Sequence, residues 1–343
     1  MRKIKIITVF VCILVLLAGL CACNKKDNGG NTNNSETVGG EEITSSNVGE
    51  GEADDEIIPT GTFFEEDEIE TTPEETTPPP SSDDTFNYLV EESGVVIVGL
   101  AEGASVEEII IPAEIENSAV VKIADEAFRH NKTLRSIVLP EGMIEIGARA
   151  FDDCSALESV TFSETVMYIG NGAFSKCTAL VTVELPDSIN TLGVSAFADC
   201  SALERIKLNE GLISVGAYAF SRCVSLTEIY LPNTVRTLGS CAFYHCEALK
   251  DITVSGYITT IEFGTFMYCK LLQEISLPDG VETIEHKAFA ECINLKEVYI
   301  TDAVDFMEKD VFEDCTLVTI MTPDEAYAAT WAKEHGVKQR GYY

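Results

Sequence analysis

From residue 125 onward, apolar residues recur at fixed places in a 23-residue cycle. Phenylalanine marks each unit: Phe128, Phe151, Phe174, Phe197, Phe220, Phe243, Phe266, Phe289 and Phe312. Alanine precedes it except at Thr265 and Val311. Leucine stands six residues after it, from Leu134 to Leu295, Ile or Val nine after, and another large apolar residue eleven after. The last two columns flank a mostly polar position, the period of a half-buried strand. Pro140, Pro186, Pro232 and Pro278 close that strand in alternate units, where the missing N–H suits an exit. Turn residues such as Glu141–Gly142 and Asp279–Gly280 follow, then a second apolar pair such as Val166/Ile169 or Val281/Ile284. The Gly column Gly147, Gly170, Gly193, Gly216 and Gly239 reads as a tight corner. Each unit predicts a strand, a turn, a second short extended segment, a corner and a short helical piece at Ala-Phe-x-x-Cys.

One such unit cannot bury its own core; nine stacked units bury a continuous one. The run Ile-Gly-x-x-Ala-Phe-x-x-Cys-x-x-Leu-x-x-Val-x-Leu-Pro, from Ile169 to Pro186, resembles the leucine-rich repeat superfamily, and within it the BspA-like class of bacterial surface proteins. The resemblance extends over residues 86–343. It implies a leucine-rich repeat solenoid with a parallel sheet on one face and short helical or turn segments on the other. It also implies a function in cell-surface binding or adhesion. The repeated residues are structural, so the resemblance carries over no site residue.

The rest of the chain divides around the repeats. Residues 1–22 predict an export signal: Arg2, Lys3 and Lys5 precede the apolar run Ile6 to Leu20, too short for an ordinary membrane span. Leu20–Cys21–Ala22–Cys23 resembles a bacterial lipobox. That implies cleavage after Ala22, diacylation of Cys23 and tethering to the outer face of a membrane; a plain signal peptide is the alternative. Residues 23–85 read as a lipidated cysteine followed by an acidic linker. Between 24 and 85 there are 18 acidic residues against Lys25 and Lys26, a composition that repels itself and buries no core. Residues 86–124 predict an amino-terminal cap with strands at Val95–Val98 and Ile109–Ile111. Residues 125–318 hold the repeats, and 319–343 a carboxy-terminal cap. There Thr322 reads as an N-cap, Pro323 as a first-turn residue and Glu325 as the partner in a capping box. The helix runs through Tyr327, Trp331 and Ala332 to Gly336, with Tyr327 and Trp331 packed on the last coil as a lid.

The net charge of −34 excludes nucleic acid as a partner and opposes flat adsorption onto anionic lipid. Acidic runs such as Asp54–Asp55–Glu56 lack the spacing of a calcium loop. A second column, Cys154, Cys177, Cys200, Cys223, Cys246, Cys269, Cys292 and Cys315, lies three residues after phenylalanine, with Asn131 in the first unit. Even spacing argues against a zinc site. Disulfides between coils are open to it, but a small buried thiol suits equivalent columns better. Cys241 falls in a mostly polar column and reads as an exposed free thiol. His130, His245, His286 and His335 fall in different columns and form no catalytic set, so the chain reads as a non-enzyme without cofactor or metal.

Binding belongs on the outward positions seven, eight and ten residues after each phenylalanine. These vary while the core columns hold. The candidate contact residues are Arg205, Lys207, Glu228, Tyr230, Lys250 and Tyr299, since Tyr and Arg most often carry interface energy. The favoured function is a cell-surface lipoprotein whose repeats bind an extracellular protein or glycan, in adhesion. The alternative is a structural or accessory scaffold of the cell envelope without a host ligand.

Overall fold

The computed structural model describes residues 83–342; the signal segment, Cys23 and almost all of the linker lie outside the described residues. An antiparallel hairpin, Phe86–Glu91 with Gly94–Leu100, opens the fold. Its second strand pairs in parallel with Ser118–Ile123, the strand that starts the solenoid. The cap strands expected at Val95–Val98 and Ile109–Ile111 are found in Gly94–Leu100 and Glu108–Ile110.

Two ladders of short parallel strands run along the repeats. One is built on the second apolar pair of each unit. It forms a single nine-stranded sheet from the hairpin through Glu145–Ile146, Tyr168–Ile169, Thr191–Leu192, Ser214–Val215 and Thr237–Leu238. It then restarts as three strands, Thr260–Ile261, Thr283–Ile284 and Phe306–Met307. The other ladder, on the strands expected to form one parallel sheet, is divided. Glu108–Ile110, Ser136–Val138 and Ser159–Thr161 form the first sheet; Thr182–Glu184 and Arg205–Lys207 the second; Glu228–Tyr230 and Asp251–Thr253 the third. The last holds Glu274–Ser276, Glu297–Tyr299, Thr319–Met321 and Lys338–Arg340.

The alternating prolines account for the divisions. In a proline unit the residue before Pro donates its N–H forward: Leu139 to Thr161 O at 2.9 Å, Leu185 to Lys207 O at 3.1 Å, Leu231 to Thr253 O at 3.0 Å and Leu277 to Tyr299 O at 2.9 Å. In the intervening units Ser163, Asn209 and Ser255 fill the proline position, and all three are buried. Their hydrogen bonds run backward. Asn209 Nδ2 donates to Ile189 O at 2.8 Å and Ser255 Oγ to Val235 O at 2.7 Å; Ser163 bonds to Thr165, whose Oγ1 donates to Met143 O at 2.8 Å. Each of these units is tied to the coil before it, and the sheet is cut from the coil after it. Thr301 tests the rule. Its Oγ1 has no partner, and there the ladder continues, with Ile300 N–H bonded to Met321 O at 2.8 Å. The structural period is therefore two units.

The turn side is continuous. The expected helical piece at Ala-Phe-x-x-Cys is a series of tight turns. The residue two after every phenylalanine, from His130 to Asp314, has a positive φ of 59° to 66°, a conformation that costs an L-residue about 1–2 kcal/mol. The turns aim alternate N–H groups along the solenoid: Phe151 donates to Ala173 O at 2.7 Å and Asp153 to Ser175 O at 2.7 Å, a pattern repeated from coil to coil. These bonds offset the backbone strain. Behind them the nine phenylalanine rings stack at 5.1 to 5.9 Å with interplanar angles of 3° to 16°.

Cysteine joins the same framework. Each column thiol donates to the phenylalanine carbonyl of the preceding coil, as Cys200 to Phe174 O at 3.1 Å and Cys292 to Phe266 O at 3.0 Å. The same carbonyl accepts the N–H three residues on in its own coil, from Asn131 in the first unit and from cysteine in the others, so both its lone pairs are used. All eight column cysteines are free and buried. Burial pushes the Cys154 and Cys200 thiols up to about 12, which leaves them unreactive. Asn131, at the head of the column, instead accepts from the N–H groups of Thr133 and Leu134, each at 2.9 Å.

The carboxy-terminal cap differs from its expected form at its start. The helix spans Tyr327–His335 with Ala326 at the N-cap and no side-chain cap; Thr322 Oγ1 is buried without a partner. Gly336 ends the helix at φ 70°, as expected. Trp331 is 3% exposed, donates to Met307 O at 3.1 Å and lies edge-on to Phe312 at 6.1 Å. Tyr327 is 40% exposed, so the lid rests on the tryptophan alone of the two.

Candidate binding surface

Sheet residues nine after each phenylalanine point into the core, and their neighbours point out. The outward groups alternate with buried Ile206 and Ile229 in the strands Arg205–Lys207 and Glu228–Tyr230. Arg205, Glu228, Tyr230 and Lys250 are all exposed, Tyr230 to 49%. Glu228 stands opposite Asp251 in register. The strands of Arg205 and Tyr230 belong to neighbouring coils on either side of a cut in the sheet, bridged by Thr227 N–H to Glu204 O at 3.3 Å. Among the described residues Arg205 has no ion-pair partner.

Two of the six candidates stand apart. Lys207 is paired with Glu184, its neighbour in the preceding strand. Tyr299 lies three coils away; its hydroxyl donates to Glu297 at 2.8 Å and its ring sits 6.1 Å from Tyr342. The Glu297 hydrogen bond, then burial, raises the Tyr299 phenol above its ordinary range. Column position relates Tyr299 to Tyr230, but no contact joins them.

A cleft of about 540 Å³ runs along the strand exits of three successive coils. Glu164, Glu184, Asp187 and Glu210 line it, with Lys207 as its cation and Phe162 and Leu208 among its apolar walls. It spans the first cut in the sheet, between Ser159–Thr161 and Thr182–Glu184. The Glu184 hydrogen bond raises the Lys207 ammonium above its usual range. Asn209 also lines the cleft and is 4% exposed. Its Nδ2 bonds to Asp187 O at 3.1 Å and Ile189 O, and its Oδ1 has no partner. An orphaned buried acceptor of this kind costs about 1–3 kcal/mol. The sequence signal for this cleft was present in the acidic column Glu141, Glu164, Asp187 and Glu210, which follows the strands rather than lying in them.

Cys241 is not exposed. It is 3% accessible, with its thiol 3.5 Å from the Phe263 carbonyl oxygen. The next unit carries Gly264 in the same column, and a Cβ there would lie 3.1 Å from the Cys241 sulfur; the absent side chain makes room for the thiol. Burial pushes Cys241 up, opposed by its hydrogen bond with Tyr218. Nearby, His245 stacks on Tyr268 at 4.1 Å, and Tyr244 meets both rings edge-on. Reading by column missed this aromatic group, since His245 and Tyr268 share a column that is charged elsewhere and Tyr244 stands in one of mixed character.

The histidines lie apart: His130 bonds to Asp153 at 2.9 Å, His245 to Glu247 at 3.2 Å, His286 to Asp310 at 2.8 Å and His335 to Trp331 O at 2.9 Å. Among the described residues no group of three or more His, Cys, Asp or Glu side chains is placed to hold a metal, and no helix is long and apolar enough to cross a membrane.

The model of the BspA type leucine rich repeat region, built on six copies of the repeat, matches residues 102–223 and 192–319, more than half of the sequence. The chain belongs to the BspA type leucine rich repeat family. Several solved structures resemble this BspA-type protein. The T. pallidum leucine rich repeat protein TpLRR is 23% identical, with 76% of this chain and 98% of that one covered and a TM-score of 0.43. The pneumococcal vaccine antigen PcpA is 19% identical, with 75% and 87% covered and a TM-score of 0.44. A leucine rich cell surface protein from Faecalibacterium prausnitzii is 20% identical, with 74% and 96% covered and a TM-score of 0.34. No curated protein matches the sequence.

Proposed function

We propose that this BspA-type protein is an exported, non-enzymatic binding protein, lipid-anchored through Cys23 and displayed at the cell surface, where its repeats engage an extracellular protein or glycan. The observation that carries the reading is the cluster of Arg205, Glu228, Tyr230 and Lys250 on adjacent coils, exposed while the phenylalanine, cysteine and leucine columns are buried. Basic, acidic and aromatic groups together suit a specific polar interface with an aromatic anchor. Lys207 contributes less, being held by Glu184, and Tyr299 lies too many coils away to share the same contact.

The test is binding of the purified protein to arrays of matrix proteins, mucins and glycans, with Arg205→Ala/Tyr230→Ala beside the wild type. The double substitution is expected to weaken capture of whichever array ligand binds by about 2 kcal/mol or more, the scale of a central anchor. Capture unchanged by the substitution removes the patch. Capture of envelope components of the producing cell alone replaces adhesion with the scaffold role.

A further inference from the structure

The phenylalanine stack ends beside another cleft, under the carboxy-terminal lid. Phe312 is the last ring, met edge-on by Trp331, and His335 stacks on Trp331 at 4.2 Å with an interplanar angle of 15°. Trp331 is almost fully buried and His335 exposed, so the imidazole presents an aromatic wall that the indole backs. These rings and Val337 line a cleft of about 240 Å³, completed by Lys309, Asp310 and Glu313. That volume lies below the range for drug-sized ligands and suits a single ring. The polar groups are not equivalent. Asp310 bonds to His286 and Glu313 Oε2 to Lys287, each at 2.8 Å, so both carboxylates are held by basic side chains of the preceding coil. Lys309 is exposed and has no ion-pair partner among the described residues. In a chain of net charge −34, it is the charge in this cleft left for a ligand. His335 donates from Nδ1 to Trp331 O at 2.9 Å, which leaves Nε2 as an acceptor, and Glu313 keeps Oε1 as another.

We propose that this cleft binds an acidic sugar residue, a pyranose bearing a carboxylate, at the end of a glycan. The carboxylate pairs with Lys309 in a charge-assisted hydrogen bond. The C–H face of the ring lies on the His335 imidazole, against the electron-rich face of an aromatic system. Its hydroxyls donate to His335 Nε2 and Glu313 Oε1. A compact anion would leave the wall and both acceptors unused, and a neutral sugar would leave Lys309 unused; an acidic sugar uses all of them. The site is separate from the sheet-face patch and does not rest on it.

The test titrates the full chain with methyl β-D-glucuronide at physiological salt and follows the emission of Trp331, the one tryptophan of the sequence. A saturable change is expected. Lys309→Gln is expected to weaken binding about tenfold, the scale of a hydrogen bond to a charged group. Methyl β-D-glucoside, which lacks the carboxylate, is expected to bind wild type about tenfold more weakly than the glucuronide for the same reason. The control Lys333→Gln changes a lysine of the same helix that does not line the cleft; it is expected to alter affinity less than about twofold, as exposed charges do under screening. No saturable change with the glucuronide would overturn the proposal. Equal losses in the two lysine variants would show attraction to charge alone and remove it as well. Acetate or benzoate competing as strongly as the glucuronide would overturn the assignment to a sugar in favour of a simple carboxylate or an aromatic acid. Arg205→Ala/Tyr230→Ala should leave glucuronide binding unchanged, so the two sites fail or stand separately.

Discussion

Four residues before their phenylalanine, five successive units carry Gly147, Gly170, Gly193, Gly216 and Gly239; the last three carry Glu262, Glu285 and Glu308. In the glycine coils an added Cβ would meet the preceding coil's backbone at 2.6, 2.7, 2.6, 2.6 and 2.3 Å respectively. The column exists for close approach, not for the tight corner that its composition suggested: none of these five glycines has a positive φ. The glutamate coils keep the same backbone bonds with a side chain in place, Glu285 N–H to Ile261 O at 2.9 Å and Glu308 N–H to Ile284 O at 3.0 Å. The interruption falls where one solution meets the other. Thr237–Leu238 and Thr260–Ile261 do not pair, and Arg236 instead covers the Tyr257 ring at 5.2 Å. Either arrangement supports a ladder; the change from one to the other breaks it. The core takes no notice, since Phe220, Phe243 and Phe266 stack at 5.6 and 5.7 Å across the junction.

The largest effect should ignore the difference between the two regions. Phe220→Ala and Phe289→Ala should each cost about 3–5 kcal/mol, because both rings are fully buried in one stack. Urea unfolding followed by circular dichroism measures this, and a much smaller loss for one of them would mean that the two halves have separate cores. A middle-sized effect should expose the difference. Gly193→Ala should cost about 1–3 kcal/mol through forced overpacking, whereas Glu285→Ala, which already has its Cβ, should stay within about 0.5 kcal/mol. Equal costs would remove the close-approach explanation.

The smallest effect belongs to the glutamate region alone. The Asp310 hydrogen bond, against some desolvation and with help from Glu308 and Glu285, raises His286 above its ordinary 6.5. A raised histidine stabilises fully below its unfolded value and loses that contribution as pH rises through its folded value. Burial pulls the Asp310 carboxyl up, but the His286 hydrogen bond and charge bring it net below its ordinary 3.8; its contribution is present above that value and lost as pH falls. His286→Gln should therefore lower the urea midpoint between about pH 4 and 6.5 and make little difference at pH 9. A deficit that persists unchanged at pH 9 would assign the loss to packing.

Much of this architecture was legible because its signals are local. Phe174, Cys177, Leu180 and Val183 are each buried in the column their spacing implied. The failures share a cause: they depend on what stands in the next coil. Cys241 looked exposed by comparison with Arg149 or Lys287, but its environment is set by Gly264. The alternation of Pro140, Ser163, Pro186 and Asn209 was visible, yet its effect on strand pairing depends on which way each coil is tied. Thr322 matched a helix-start pattern, but its hydroxyl is buried and the chain turns for four more residues before the helix begins. The sheet-face patch was readable as residue types on outward positions. The edge cleft left only its acidic column in the sequence, because its shape is assembled from strand exits across three coils.

The two-unit period also limits how such a chain can change length. Removing one 23-residue unit would set two proline exits side by side, as Pro112 and Pro140 stand in the three-stranded first sheet, or two polar ones, and so lengthen one sheet or isolate a strand where forward and backward ties otherwise alternate. Removing or duplicating a pair leaves every exit facing its usual neighbour. Insertions and deletions in this protein should therefore be tolerated in steps of two coils, so that the heritable module is the pair although the eye counts single units.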